Sequence, residues 1–409
     1  MAVVEAQRTH RRVLPSISGP KPILAMVASA HGVTHMYSTL LPLVYPLMQA
    51  QFGFSYGELG LIVGISSALG GVLQFGFGLA GRYVPHRMLI GLGNVCCGLT
   101  IALFGAVGSF FQFSIVRVLN SVAQAPQHPI GNSMIANRFS ERKRGAALSI
   151  HVAGGNLGTI LVPLVGTFLI AQLGWRATMV IFSLPGLLIG SAIMATVTES
   201  KESREVMQEA SLKADMGAIL RNRTLLLIVV SSMVAAGGRG LGVVLTYVPL
   251  YLTNGLHLST SAVGVLFTVL LAGSIVGPLA GGKVSDMVGR KRAMLIALIG
   301  SFAATLALVL SGPVLAGVAA ALVGIGLFVY AQGPIMQTYL ADVVPAERRD
   351  SIFGAYFAIT FGAGAVYAAG VGALIDRFGF GAAFITMAVS YVATFLILLP
   401  AQEHRLAVR

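Results

Sequence analysis

The sequence predicts an all-α membrane protein whose twelve transmembrane helices form two pseudo-symmetric six-helix bundles. Three observations carry this fold class. Hydrophobic residues make up 56% of the chain and charged residues only 10%, well below the roughly 25% charged residues of a soluble domain. The apolar residues are gathered into runs of about 20 or more, long enough to cross a bilayer. These runs fall as six, a charged interval, then six more.

The elements follow in order. A basic tail containing Pro and Ser, residues 1–21, precedes the first run. That run is too long for a signal-peptide core and shows no small-residue cleavage site, so it reads as a retained helix. Runs near 22–48, 57–80, 88–108, 111–137, 143–171 and 176–198 make the N-terminal bundle, 22–198. The polar stretch ESKESREVMQEASLKADMGAILRNR, 199–223, is a linker. Runs near 224–253, 260–284, 292–311, 314–340, 348–375 and 381–400 make the second bundle, 224–400, and a tail, 401–409, ends the chain. The 50 glycines suit helices that must approach closely in lipid. Cys96 and Cys97 are neighbours on a helix and point in different directions, which excludes a disulfide framework. They read as small apolar fillers.

Lys and Arg set the orientation. They crowd the N-terminal tail, the loops after helices 2, 4, 8 and 10, the linker and the C-terminal tail. Of the 27, only Arg117, Arg176, Arg239 and Arg377 lie elsewhere. Both termini are therefore expected in the cytoplasm, with the chain in a bacterial-type inner (plasma) membrane, surrounded by lipid bilayer and acting as a monomer. The net charge of +13 is mostly this bias, so no nucleic-acid partner is expected.

The halves repeat. GLAGRYVPHR (78–87) and GKVSDMVGRK (282–291) each follow the second helix of their half. Pro129 and Pro334 each sit late in a fourth helix, and SERKRG (140–145) and PAERRDS (345–351) each open a fifth. All three pairs are offset by about 205 residues, the mark of a duplicated six-helix unit.

These motifs resemble the major facilitator superfamily, and Gly282, Asp286, Gly289, Arg290 and Lys291 match its loop signature in register. The N-terminal copy departs from it, with Gly81 in place of the Asp, then Arg82, Val84 and Pro85. The N-terminal half is more narrowly similar to the fosmidomycin-resistance group, exporters of small anionic phosphonates. The matches are His31, Tyr45, Pro46, His128, Pro129, Gly154, Gly155, Asn156, Gly158 and Pro163. His35 and Ile130 stand where that group commonly has acidic residues. The resemblance implies the major facilitator fold, with helices 1, 4, 7 and 10 around a central cavity.

On helix 1, His31, Thr34, His35, Ser38 and Pro42 recur at steps of three and four and so share a face. Helix 4 carries Arg117, Asn120, Gln124, Gln127 and His128 in the same way. Such stripes are expected to face water or each other, not lipid. A rise of about 1.5 Å per residue puts His31, His35, His128 and His151 in one membrane slab. His151 alone reads as an interhelical hydrogen-bond partner. Arg239 lies mid-membrane on helix 7, among glycines that leave it room. No Asp or Glu falls near the centre of any span, so the interior holds only Arg, His and neutral groups. A buried cation needs water or an anion, and an anion-selective cavity follows.

The expected substrate contacts are His31, His35, Tyr45, Arg117, Asn120, Gln124, Gln127, His128, Arg239, Tyr247, Tyr330 and Gln332. His31, His35 and His128 are the expected proton carriers, since imidazole titrates near neutral pH. Asp286, Arg290 and Arg82 are the expected gating residues; the GGNLGTILVPLVG and GAGAVYAAGVG segments of helices 5 and 11 read as packing surfaces. The expected function is secondary active transport of a small organic anion, phosphonate-like or carboxylate, with proton-coupled export by alternating access. The alternative is anion exchange or uptake on fixed Arg charges. No Walker loop, HExxH or metal-ligand cluster is visible, so no enzyme activity, cofactor or metal is expected.

Overall fold

The computed structural model describes residues 16–81, 83–199, 217, 219–238, 240–344 and 349–402. Within these all regular secondary structure is helical, apart from an isolated bridge pairing Ile17 with Val197.

Crossing 1 is the helix Pro20–Phe52. Pro20 opens it, where the missing N–H costs nothing, and Gly53 ends it in the left-handed region at φ 70. Crossing 2, Tyr56–Ala80, starts with a reciprocal capping box between Ser55 and Glu58. Crossing 3 is His86–Phe104. Crossing 4, expected as one helix, is two pieces, Phe110–Gln124 and Gln127–Ala136, parted at Pro126. Crossings 5 and 6 share the run Glu141–Thr196, broken at Gly174 (φ 77, ψ 161).

The second half repeats the plan. Crossings 8, 9 and 10 are Thr260–Val288, Arg290–Leu310 and Leu315–Val343. Crossings 11 and 12 share Arg349–Leu398, broken at Gly379 (φ 77, ψ 174). The two breaks lie about 205 residues apart and have nearly the same backbone angles, which only glycine adopts at low cost. Crossing 7 departs from a regular helix. Arg223–Ala235 is α-helical, Ala236–Gly238 is 3₁₀, Gly240–Val244 is π, Leu245–Leu250 is α and Tyr251–Gly255 is π again. Interruptions of this kind concentrate at functional sites in membrane helices.

Eight of the described helices are individually long and apolar enough to span a bilayer, and the two kinked runs among them each hold two crossings. Crossing 1 falls outside that set because its polar stripe lowers its hydropathy, and crossing 4 because the break leaves pieces of only 15 and 10 residues. Outward faces are apolar: Leu61, Ile65 and Val72 on crossing 2, and Phe111, Ile115 and Leu119 on crossing 4, are all exposed.

Glycines fix how the crossings touch. A Cβ on Gly158 would lie 1.9 Å from the Gly32 carbonyl oxygen, so crossings 1 and 5 meet backbone to backbone. Crossings 2 and 11 behave differently along their length. A Cβ on Gly60 would come within 2.2 Å of the Ala368 carbonyl, and one on Gly64 within 2.5 Å of that of Ala365. Gly71 meets only the Phe361 side chain at 3.4 Å, and Gly76 meets nothing within 4 Å. The halves are thus joined at the end away from the termini and part towards the end that carries them.

Candidate functional site

Four imidazoles meet where crossings 1, 4 and 5 face one another. The His31 ring lies 4.5 Å from that of His35, 5.0 Å from His128 and 4.2 Å from His151, between centroids. His31 and His35 are one helical turn apart on crossing 1, so they present one face. Gly155 makes room for them, since a Cβ there would sit 2.9 Å from the His31 ring. His31 Nδ1 bonds the His151 carbonyl at 3.0 Å, while its Nε2 is buried without a partner. His35 Nδ1 is 3.4 Å from Thr159 Oγ1. His151 is buried, and it meets crossing 1 through its carbonyl rather than its imidazole, neither of whose nitrogens is bonded. His128 is exposed. Its ring lies 5.0 Å from that of the buried His31 and 5.9 Å from that of His35, so its exposure is towards the interior rather than the lipid face.

Folding also corrects the view that the chain offers no metal-ligand cluster. Ligand atoms of His31, His35 and His128 all lie within 4.8 Å of one another. Residues nearly a hundred positions apart in sequence gave no motif to read.

The stripe on crossing 4 divides. Arg117 is half-buried beside the Tyr45 hydroxyl, with its Nε unpartnered, and Tyr45 packs edge-on against Phe113. Gln124 links to crossing 1 by accepting from Ser38 at 3.1 Å and donates to Asn120 at 2.6 Å. Asn120 and Gln127, expected at the cavity, instead turn to crossing 3. Asn120 donates to Thr100 at 2.8 Å, and Gln127 accepts from Asn94 at 3.1 Å.

In the second half, Arg239 lies outside the described residues, as does Arg82. Tyr247, also expected at the cavity, is buried and donates to the Ala368 carbonyl at 2.7 Å and to that of Tyr56 at 3.3 Å, tying crossing 7 to crossings 11 and 2. Gln332 donates to Ser301 at 2.7 Å and lines a small cavity with Ser232, Gln337, Tyr356 and Thr360. Tyr330 is half-buried on the same crossing 10.

Helix ends hold the acids. Among the described residues no carboxylate side chain lies mid-crossing. Asp286 pairs with Arg290 as expected, and Arg290, itself buried, also donates through Nε to Asp342 at 2.8 Å, a partner 52 positions away that no motif announced. The N-terminal half has its own clamp in a different form. The Glu199 carboxylate accepts from the backbone N–H groups of His86 and Arg87 at the start of crossing 3. Asp376 was also missed. Its two oxygens accept from the Tyr56 and Gly57 N–H groups at 2.8 and 2.7 Å, capping crossing 2 from the other half. Asn254 reinforces that seam by donating to Gln49 at 2.8 Å and to the Tyr56 hydroxyl at 2.9 Å.

The Major Facilitator Superfamily profile matches residues 27–366 and 240–408, most of both halves. The chain belongs to the Major Facilitator Superfamily. Like that superfamily's members it is a multi-pass membrane transporter of small molecules and not an enzyme. It is 26% identical to the MFS-type transporter YfnC of Bacillus subtilis (strain 168), over 94% of each chain. It is 25% identical to the fosmidomycin resistance protein of Escherichia coli (strain K12), over 87% of this chain and 86% of that one. The crystal structure of the nucleoside transporter NupG superposes with a TM-score of 0.77 at 12% identity, over 92% of this chain and 99% of that one.

Proposed function

We propose that this transporter exports a small organic anion, phosphonate-like or carboxylate, in exchange for protons, by alternating access. Both termini then face the cytoplasm of a bacterial-type inner membrane, and the seam of Asp376, Tyr247 and Asn254 lies on the outer side. In that orientation the parted end opens inward.

One observation carries the cargo's charge. Arg117, with an unpartnered Nε, and the histidine cluster stand in an interior where the described carboxylates keep to helix ends. An incoming anion supplies the missing counter-charge, and the desolvation cost of a cation in the bilayer falls when it does. The similarity to a fosmidomycin resistance protein supports the same chemistry and the outward direction. On this reading His31, His35 and His128 take up protons, and Arg117, beside Tyr45 and so about 15 Å along crossing 1 from His35, holds the anion.

The test uses proteoliposomes loaded with fosmidomycin as the probe anion, with and without a pH gradient. Gradient-dependent movement that loses its pH dependence in His35→Gln and His128→Gln is expected. Movement indifferent to the gradient would leave exchange on fixed Arg charges instead, and no movement of any small anion tried would sink the assignment of cargo charge.

A further inference from the structure

We propose that His31, His35 and His128 form a binding site for a divalent transition metal of the zinc class, with its remaining coordination position open to the cavity. The ligand atoms already lie within 4.8 Å of one another, and about 3.4 Å separates nitrogens that share a tetrahedral ion at 2.0–2.1 Å. Side-chain rotation of the order of an ångström closes that gap, and His128, exposed in the cavity, has the space to make it.

The hydrogen bonds set the tautomers. The His151 carbonyl at 3.0 Å can only accept, so His31 carries its proton on Nδ1 and leaves Nε2 as a lone pair. That Nε2 is buried, has no other partner and belongs to a side chain 3% exposed. Thr159 Oγ1 donates to the Gly155 carbonyl at 3.2 Å, so towards His35 Nδ1 it accepts. His35 Nε2 is then a second lone pair. A carbonyl on the far nitrogen of His31 and a hydroxyl on that of His35 are the kind of support that metal-bound histidines use. His31 and His35 also have the i, i+4 spacing that lets two ligands on one helix share an ion.

The donor set selects the ion. Three neutral imidazoles suit Zn²⁺, Co²⁺ or Ni²⁺ and not Mg²⁺ or Ca²⁺, which take oxygen ligands. The metal competes with protons for the same lone pairs, so its occupancy opposes proton uptake by the cluster. The site itself stands whether or not the cargo is an anion.

Tag-free, metal-stripped protein in detergent is titrated with Co²⁺ alone. One equivalent should give the visible bands of a low-coordinate Co²⁺ site, and Zn²⁺ should displace it. His31→Gln, His35→Gln and His128→Gln should each abolish the signal, whereas His257→Gln, in an exposed turn, should not. Thr159→Val should weaken binding by about 10- to 100-fold by releasing His35 from its support. X-ray absorption on the zinc-loaded wild-type protein counts imidazole ligands independently of how the variants fold. No saturable Co²⁺ binding, binding that survives His35→Gln, or fewer than three imidazoles around zinc overturns the proposal.

Discussion

Replacing Asp376 by Ala should loosen the seam that joins the two halves. The carboxylate caps the start of crossing 2 with two hydrogen bonds, at 2.8 and 2.7 Å, to residues some 320 positions away. A lost helix cap costs about 0.5–2 kcal/mol, and the charge at a helix N-terminus adds about 0.3–1 kcal/mol. Asp376 is exposed, so water and salt reduce both, leaving about 1–2 kcal/mol. These bonds exist only while crossings 2 and 11 are in contact, so the loss falls on the joined state alone. At about 1.4 kcal/mol per factor of ten, the balance between joined and parted seam should shift by about 5- to 30-fold. Asp376→Asn keeps one acceptor oxygen and should fall between. Spin labels at Ala50→Cys and His257→Cys, both in exposed positions at that end, report the separation in a background where Cys96 and Cys97 are Ala. A longer-distance population should grow in the order wild type, Asn, Ala. Identical distance distributions in all three would show that the carboxylate does not hold the halves together.

Other outcomes follow from the same geometry. Gly158→Ala puts a Cβ 1.9 Å from the Gly32 carbonyl and should cost about 1–3 kcal/mol through overpacking, seen as a lower thermal midpoint, while Gly362→Ala, with nothing within 4 Å, should be silent. Asp342→Asn should destabilise more than Asp286→Asn, by about 1–3 kcal/mol against less than about 1 kcal/mol, because the Asp342 side chain is 20% exposed and that of Asp286 66%. The reverse order in thermal unfolding would mean that Arg290 leans on Asp286. Arg117→Ala should weaken fosmidomycin binding by about 10- to 100-fold by calorimetry, the value of one hydrogen bond to a charged group, with Arg117→Lys retaining part of it. Unchanged affinity would remove Arg117 from the anion site.

Several features were legible because the bilayer enforces them locally. A span must satisfy its backbone within itself and present apolar side chains, so the crossings, the duplication and the acid-free interior could be read from one dimension. The faces of crossing 1 were legible for the same reason, since His31, His35 and Ser38 are set by helical periodicity. Crossing 4 shows where that reasoning stops. Arg117, Asn120, Gln124 and Gln127 share a face on an ideal helix, but Pro126 parts Gln127 from the rest, and partners on crossing 3 claim Asn120 and Gln127. Crossing 7 is similar: its apolar run was visible, but not the π-helical turns that interrupt it.

The sequence by itself determined that this is a duplicated helical transporter with imidazoles at mid-depth and its acids at the helix ends. Only the tertiary structure decided that His151 joins the other three, that three ring nitrogens converge closely enough to share an ion, and that Asp376 closes the seam. The reason is that each of these depends on how near two helices approach. That distance is set by small residues such as Gly32, Gly60 and Gly158, whose partners lie far along the chain and leave no trace in local periodicity.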